Sequence, residues 1–241
     1  MLKDRIRRGL ASLPLEPRVL VALAVIAGLV LALGKIVEDV VEHESGAFDK
    51  AILLALRTPG DLSRPIGPIW LEGAVKNITA LGSPTILTLV TIAALAYLVV
   101  ARRYRLALIT GASIIGGSIA EQVLKAVFAR ARPDVVPHLV TVESLSFPSG
   151  HAMLSTITYL TLGALLARAQ PKRRLRIFVF CVGLAMALLI GMSRVYLGVH
   201  YPTDVLAGWC FGSLWVCLFW LYARRQTGQA PNDETQDENA R

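Results

Sequence analysis

The chain has 241 residues, of which 54% are hydrophobic, and its mean hydropathy is +0.56. This composition is far more apolar than that of an average soluble domain, so it excludes an ordinary soluble protein and indicates an integral membrane protein. The formal net charge of +8 would also suit a nucleic-acid-binding protein, but the positions of the cations, described below, argue against nucleic acid as a partner.

Six hydrophobic runs each approach the roughly 20 residues that a helix needs to cross a bilayer. We therefore predict an all-α fold, a six-transmembrane helix bundle with an extended outer loop between the first two spans. The first run has no evident small-residue cleavage site, which indicates a retained span rather than a signal peptide. The runs lie near residues 18–37, 84–101, 106–128, 151–169, 176–193 and 203–223.

The segments at the two ends of the chain differ in composition from the six-span region. We expect residues 1–17 to form a cytoplasmic N-terminal segment and residues 18–225 to form one domain. Residues 226–241 are polar and acidic and contain no large apolar side chain. Such a segment cannot bury enough apolar surface to fold, so we predict a disordered cytoplasmic tail.

The basic residues are concentrated in alternate connections between the spans. By the positive-inside rule these segments face the cytoplasm, so both termini are cytoplasmic and the other connections face the outer side. The predicted location is the inner cell membrane, crossed several times. Fifteen of the 25 Lys and Arg residues follow this pattern: Lys3, Arg5, Arg7, Arg8, Arg18, Arg102, Arg103, Arg105, Arg168, Lys172, Arg173, Arg174, Arg176, Arg224 and Arg225.

The connection between the first two spans, residues 35–83, is too long to be a simple loop. Phe48, Ile52 and Leu56 are spaced at i, i+4 and i+8, which places them on one face of a helix that a Pro-Gly pair at position 59 would end. Such an amphipathic helix lies either in the membrane interface or as a cap on the bundle. The sequence leaves both alternatives open.

The first of three polar clusters lies at the end of the third span. Lys125 and Arg132 are seven residues apart, close to two helical turns, so both cations can face the same side. Pro133 disfavours helical geometry at Arg132 and marks the predicted end of the span. A lone lysine at a helix end is more often a snorkelling surface residue, so this cluster is weak when taken alone.

The second cluster, Pro148-Ser149-Gly150-His151, stands where a loop enters the fourth span. Ser149 is a natural N-cap residue, and the amides of Gly150 and His151 point from the positive end of the helix towards an anion. The missing side chain of Gly150 leaves the backbone open to a phosphate. The alternative is an ordinary serine cap with an incidental histidine.

The third cluster joins the fifth and sixth spans. Ser193 and Arg194 close the fifth span, and His200 stands just ahead of the sixth. Asp204, four residues after His200, can accept a hydrogen bond from one ring nitrogen, which leaves the other nitrogen unprotonated and able to attack. The alternative is a structural His-Asp pair at a helix start.

Together the three clusters resemble, position by position, the three-part signature of the type 2 phosphatidic acid phosphatase (PAP2) superfamily, in its integral membrane lipid phosphatase branch. The resemblance runs from about Lys125 to Asp204 and implies that residues 18–225 form a PAP2-like phosphatase domain. Smaller matches are Phe147, Ala152, Gly198, Tyr201 and Pro202.

The resemblance also implies a role for each residue of the clusters. His200 attacks phosphorus to form a phosphohistidine, Asp204 orients it, and His151 protonates the leaving oxygen and then activates water. The implied mechanism uses no metal and no other cofactor. The phosphoryl oxygens are bound by Lys125, Arg132, Arg194, Ser149 and the amide of Gly150.

The three cysteines, Cys181, Cys210 and Cys217, fall within predicted spans, where a thiol is an ordinary packing residue. They show no CxxC spacing. We therefore expect neither a disulfide nor a metal site.

The sequence thus predicts a membrane lipid phosphate or diphosphate phosphatase whose active site faces the outer, periplasmic side. The expected partners are the bilayer and a lipid such as undecaprenyl diphosphate, phosphatidic acid or phosphatidylglycerol phosphate. The sequence does not distinguish between these substrates, and it does not indicate the oligomeric state.

A lipid phosphotransferase stays an open alternative. A non-catalytic lipid-binding or transport protein would need only the cations, not His200, Asp204 and His151. The six spans argue against a vanadate-dependent haloperoxidase, which has a similar three-part site.

Overall fold

The computed structural model describes residues 17–228, which form eight helices and one two-stranded antiparallel hairpin. The predicted N-terminal segment and most of the predicted tail lie outside the described residues, and the last helix continues past residue 225. The helices are α1 (Pro17–Val41), α2 (Gly46–Ala55), α3 (Ile69–Ala80), α4 (Pro84–Val100), α5 (Tyr104–Phe128), α6 (Gly150–Ala169), α7 (Arg173–Tyr196) and α8 (Pro202–Gly228), and the strands are β1 (Arg57–Thr58) and β2 (Asp61–Pro65).

Among the described helices, α1, α5, α6, α7 and α8 are each long and apolar enough to cross a membrane. The predicted second span corresponds to α4, which has 17 residues. α3 and α4 meet the same length and hydropathy test together, with a bend of 47° at the break between them. The predicted all-α bundle is confirmed, and the count of six spans holds where this bent pair is taken as one span.

Large apolar side chains cover the outside of the bundle. Leu31, Val100 and Leu108 are all largely exposed, and each lies on a helix that the hydropathy pattern assigns to the bilayer. Helices satisfy their own backbone hydrogen bonds, so such a surface is stable in contact with lipid chains. The exposed apolar belt therefore marks the surface that the bilayer covers.

The connection between α1 and α4 covers one end of the bundle. Its helix α2 was predicted, but the buried face is rotated by one residue, because Asp49 and Leu53 are buried while Phe48 is exposed. Leu53 packs in a cluster with Val195 and Val205. The helix therefore caps the bundle. The β1–β2 hairpin that follows it was not predicted from the sequence.

The packing of α8 on α6 depends on small residues. A Cβ atom at Gly212 of α8 would lie 2.8 Å from the carbonyl oxygen of Met153 and 2.8 Å from the Cβ of Thr156, both on α6. Backbone atoms cannot move away as a flexible side chain can, so a larger residue at this position would separate the two helices.

We therefore expect Gly212→Val to destabilise the bundle by about 1–3 kcal/mol, the usual range for overpacking. The matched control is Gly28→Val on α1, where a Cβ would meet no atom within 4 Å. The measurement is the fraction of detergent-solubilised protein that stays monodisperse after heating across a temperature series. Equal losses for the two variants would contradict the tight α6–α8 contact.

Candidate active site

The three clusters meet at one end of the bundle. α6 contacts α5, α7 and α8, and the order of the helices places the end of α5 and α7 beside the start of α6 and α8. His151, the second residue of α6, lies within electrostatic range of four other site residues. They are Lys125, Arg132, Arg194 and His200.

Lys125 and Arg132 do not share one continuous helix, in contrast to the prediction. α5 ends at Phe128, because Ala129 takes a left-handed conformation with φ of 45°. The helix therefore ends before the position that Pro133 was predicted to mark. Lys125 lies in the last turn of α5, and Arg132 lies in the loop beyond it.

Ser144 brings these two cations together. Its hydroxyl accepts from Lys125 Nζ and from Arg132 Nη2, both at 3.0 Å, and its carbonyl oxygen accepts from Arg132 Nε at 2.6 Å. Ser144 belongs to the loop between α5 and α6. The loop, rather than the periodicity of a helix, thus sets the separation of the cations.

Glu121 lies one turn before Lys125 on α5 and forms an ion pair with it, at 3.0 Å between Oε1 and Nζ. A Cβ atom at Gly150 would collide with the Glu121 carboxylate and would lie 3.5 Å from Lys125 Nζ. The absence of a side chain at Gly150 therefore makes room for this ion pair beside the first turn of α6.

Ser149 is the N-cap residue of α6, as predicted. Its hydroxyl accepts from the amide of Ala152 at 3.5 Å, and its own amide donates to the carbonyl oxygen of Asp204 at 3.0 Å. The start of α6 is therefore fastened to the start of α8, and the amides of the first turn of α6 occupy the positive end of its dipole.

His200 and Asp204 are 1% and 0% exposed, and His200 Nδ1 lies 3.5 Å from Asp204 Oδ2. The other ring nitrogen, Nε2, lies 3.2 Å from Arg132 Nη1. A guanidinium can only donate, so Nε2 is the acceptor and the ring proton belongs on Nδ1, which faces Asp204. The nitrogen with the lone pair thus points at the cations.

The surroundings of His200 favour the neutral imidazole. Burial lowers the pKa of His200 to about 4; Asp204 opposes this shift, while the charges of Arg132 and Arg194 add to it. The imidazole is therefore unprotonated at neutral pH, as a nitrogen nucleophile must be.

Asp204 receives hydrogen bonds from several directions. Oδ2 accepts from Ser146 Oγ at 2.5 Å and from the amide of Tyr201 at 2.9 Å, and Oδ1 accepts from Arg130 Nη1 at 2.6 Å. A buried carboxylate with this many donors stays ionised and fixed in orientation. It can hold the imidazole of His200 in one tautomer.

Arg194 is 4% exposed and donates from Nη1 to the hydroxyl of Thr79 at 3.0 Å. Its Nε is buried and has no hydrogen-bond partner within the described residues. A buried donor without an acceptor is costly. Arg194 therefore has an unused donor near His151 and His200, available to an anion.

Arg57, at the start of the hairpin, supports the short segment that carries His200. It is buried and donates to the carbonyl oxygens of Tyr196 at 2.9 Å and Pro137 at 3.4 Å. Gly198 has φ of 76°, and a Cβ there would collide with the Arg57 guanidinium. Only glycine satisfies both conditions at this position.

The sequence reasoning missed several residues of the site. Two of them carry a charge in or beside the third span. Because a charge is costly there, its presence could have identified these two residues from the sequence. The serines belong to an irregular loop and show no pattern in the sequence. The missed residues are Glu121, Arg130, Ser144, Ser146 and Arg57.

Within residues 17–228, no group of three or more His, Cys, Asp or Glu side chains is placed to hold a metal ion. The cations that the site does contain are the side chains of Lys125, Arg132 and Arg194, with Arg130 behind Asp204.

The sequence is similar to curated proteins that are named as phosphatases. The chain is 43% identical over 101 residues to phosphatidylglycerophosphatase B of Bacillus subtilis, covering 42% of this chain and 48% of the relative. It is 37% identical over 100 residues to undecaprenyl-diphosphatase of Sulfolobus acidocaldarius, covering 39% and 44%. The chain thus spans about half the length of the curated relatives it matches.

Two solved structures are similar to the fold. A transmembrane PAP2 type phosphatidylglycerolphosphate phosphatase from Bacillus subtilis matches with a TM-score of 0.69 and 28% identity, over 85% of this chain and 96% of that one. LpxE of Aquifex aeolicus matches with a TM-score of 0.53 and 23% identity, over 65% and 88%, and shows the fold alone. A family model described as the PAP2 superfamily matches residues 106–227, which is just over half of the chain and contains all three clusters. The chain therefore belongs to the PAP2 superfamily.

Proposed function

We propose that this protein is a membrane lipid phosphate or diphosphate phosphatase that acts through a phosphohistidine intermediate at the outer face of the membrane. One observation carries the proposal: a buried imidazole has one nitrogen facing Asp204 and the other facing a cluster of cations, at the end of a membrane bundle. The names of relatives support it, because they are phosphatases of phospholipids and polyprenyl lipids.

In the first step, Nε2 of His200 attacks phosphorus. An N–P bond forms while the P–O bond to the leaving group breaks, and His151 gives a proton to the leaving oxygen. Arg132 Nη1, which contacts Nε2 in the free site, transfers its hydrogen bond to a phosphoryl oxygen. Asp204 offsets the positive charge that develops on the imidazole.

In the second step, a water molecule attacks the phosphohistidine. His151 takes a proton from the water, the N–P bond breaks, and inorganic phosphate leaves. The positive side chains of Lys125, Arg132 and Arg194 and the amides of the first turn of α6 stabilise the charge on the phosphoryl oxygens in both transition states.

The position of the site favours a lipid over a soluble substrate. The helices that carry the clusters have apolar exposed surfaces, so a lipid can keep its chains in the bilayer while its headgroup reaches the end of the bundle. The candidate substrates are phosphatidylglycerol phosphate, phosphatidic acid and undecaprenyl diphosphate.

The side of the membrane follows from the charges at the other end of the bundle. The α4–α5 and α6–α7 connections and the end of α8 are rich in Arg and Lys, and such connections stay in the cytoplasm. The active site is therefore on the outer side.

The first test is hydrolysis of a panel of these three lipids by the purified full chain in detergent with EDTA. We expect release of inorganic phosphate, and we expect His200→Ala to lower kcat/KM by about 10³-fold or more, because it removes the nucleophile. His43→Ala changes an exposed histidine in the turn after α1; it is the control and retains activity. Full activity of His200→Ala contradicts the assignment of His200 as the nucleophile. Loss of activity in EDTA contradicts the metal-free mechanism. A phosphorylated lipid acceptor as the product indicates a phosphotransferase.

A second test traps the intermediate. His151→Ala lacks the group that activates water, so we expect turnover to fall by about 10²- to 10⁴-fold. We also expect ³²P from the lipid that the wild type hydrolyses, labelled in the phosphoryl group that is released, to remain on the protein. A phosphohistidine is stable in alkali and labile in acid. The double variant His151→Ala/His200→Ala should carry no label, and label of equal amount on it would rule out His200 as the acceptor.

A third test concerns orientation. A green fluorescent protein fused after Arg225 should fluoresce, because it stays in the cytoplasm, whereas one fused after truncation at Gly60, the hairpin turn, should not. Alkaline phosphatase fusions at the same two positions should give the opposite result. If both reporters place Arg225 outside, the charge argument is wrong.

A further inference from the structure

Arg130 links the Asp204 carboxylate to a second buried carboxylate. Its Nη1 donates to Asp204 Oδ1 at 2.6 Å, and its Nη2 donates to Asp49 Oδ2 at 2.9 Å. The guanidinium also lies over the ring of Tyr201, with 4.2 Å between Cζ and the ring centroid. One arginine thus connects two carboxylates that are 0% exposed.

Asp49 comes from α2, in the connection that precedes the family match. Its Oδ1 accepts from the amide of Thr203 at 3.0 Å, and its Oδ2 accepts from the Thr203 hydroxyl at 2.6 Å. Thr203 immediately precedes Asp204 in the first turn of α8. Asp49 therefore holds both Arg130 and the backbone beside Asp204.

The charges of this network determine how strongly the negative charge of Asp204 acts on the imidazole of His200. Burial of Arg130 lowers its pKa, but Asp204 and Asp49 together outweigh this effect and raise the pKa above its ordinary value, so the guanidinium is charged. If Arg130 had Asp204 as its sole counter-ion, the negative charge of Asp204 would be largely neutralised. Asp49 supplies a separate counter-ion, so the Asp204 charge stays effective towards the imidazole.

This balance matters most when His200 is positively charged. A phosphorylated imidazole next to Arg132 and Arg194 needs a nearby anion, since like charges in a buried site repel strongly. Asp204 is that anion, because it contacts His200 directly. The Asp49–Arg130 pair lies behind it, and the hydrogen bonds of the pair within the described residues reach Asp204 and Thr203 rather than His200.

We propose that Asp49, paired with Arg130, is a positioning residue for the phosphohistidine step: from the outer connection it holds Asp204 in place and preserves its negative charge towards His200. This proposal rests on the proposed function. It assigns a role in the reaction to a residue outside the three clusters and outside the matched region of the chain.

Asp49→Asn is the direct test, because it keeps the shape and the acceptor for the Thr203 amide but removes the charge. We expect kcat for the lipid phosphate hydrolysed by the wild type to fall by about 10- to 100-fold, the usual effect of losing a residue that orients a catalytic group. KM should stay within about twofold, since the phosphate-binding cations are untouched. The matched control is Asp61→Asn, an exposed carboxylate on the hairpin of the same connection, which should behave as the wild type.

A double-mutant cycle separates charge balance from simple structural support. Arg130→Gln leaves two carboxylates without their cation, and Asp49→Asn leaves Arg130 with Asp204 alone. The double variant Asp49→Asn/Arg130→Gln restores the balance, so its kcat should exceed that of either single variant. A purely structural network predicts that the double variant is no better than the worse single variant.

Each outcome decides the question. Wild-type kcat in monodisperse Asp49→Asn, or loss of affinity with unchanged kcat, overturns the proposal while the proposed function stands. If Asp49→Asn does not yield monodisperse protein, the charge-balanced double variant Asp49→Asn/Arg130→Gln is compared with Arg130→Gln alone. A higher kcat in the double variant supports the proposal, and an equal or lower kcat overturns it. If the wild type hydrolyses none of the lipid phosphates, the proposed function fails and this proposal fails with it.

Discussion

Asp204 carries a negative charge at a position that water does not reach, and such a charge is stable only where donors surround it. The donors come from different parts of the chain: the hydroxyl of Ser146, the amide of Tyr201 and the guanidinium of Arg130. Folding cannot bury the carboxylate without bringing these groups to it. The same contacts therefore stabilise this end of the bundle and assemble the site.

The architecture was largely predictable because exposure to lipid leaves a strong pattern in the sequence: long apolar runs joined by cationic connections. This pattern predicted the helical bundle and most of its spans. The hydropathy run 106–128 also gave the end of α5 at Phe128, but hydropathy does not report local backbone geometry. The left-handed conformation of Ala129 and the break between α3 and α4 were therefore missed. The face of α2 was misjudged because the rule that apolar residues point inward fails for Asp49, a charge that has its partner on a distant segment.

The candidate site was predictable where short spacings define it. A serine cap at a helix start and a histidine four residues before an aspartate are local patterns, so Ser149, His200 and Asp204 could be named from the sequence. Ser144 and Ser146 could not, because their importance lies in contacts with Lys125, Arg132 and Asp204 that exist only in the folded chain. A serine in a loop looks the same whether or not it bridges two cations.

Three supports of the site come from the part of the chain that precedes the family match at residue 106. Thr79 binds Arg194, Arg57 binds the carbonyl oxygen of Tyr196, and Asp49 binds Thr203. The reacting groups lie in the matched half of the chain, and part of what holds them comes from the half before it. A chimaera that grafts residues 106–227 onto a foreign first half would inherit the nucleophile and its nearest donors but would lack the contacts that Thr79, Arg57 and Asp49 supply.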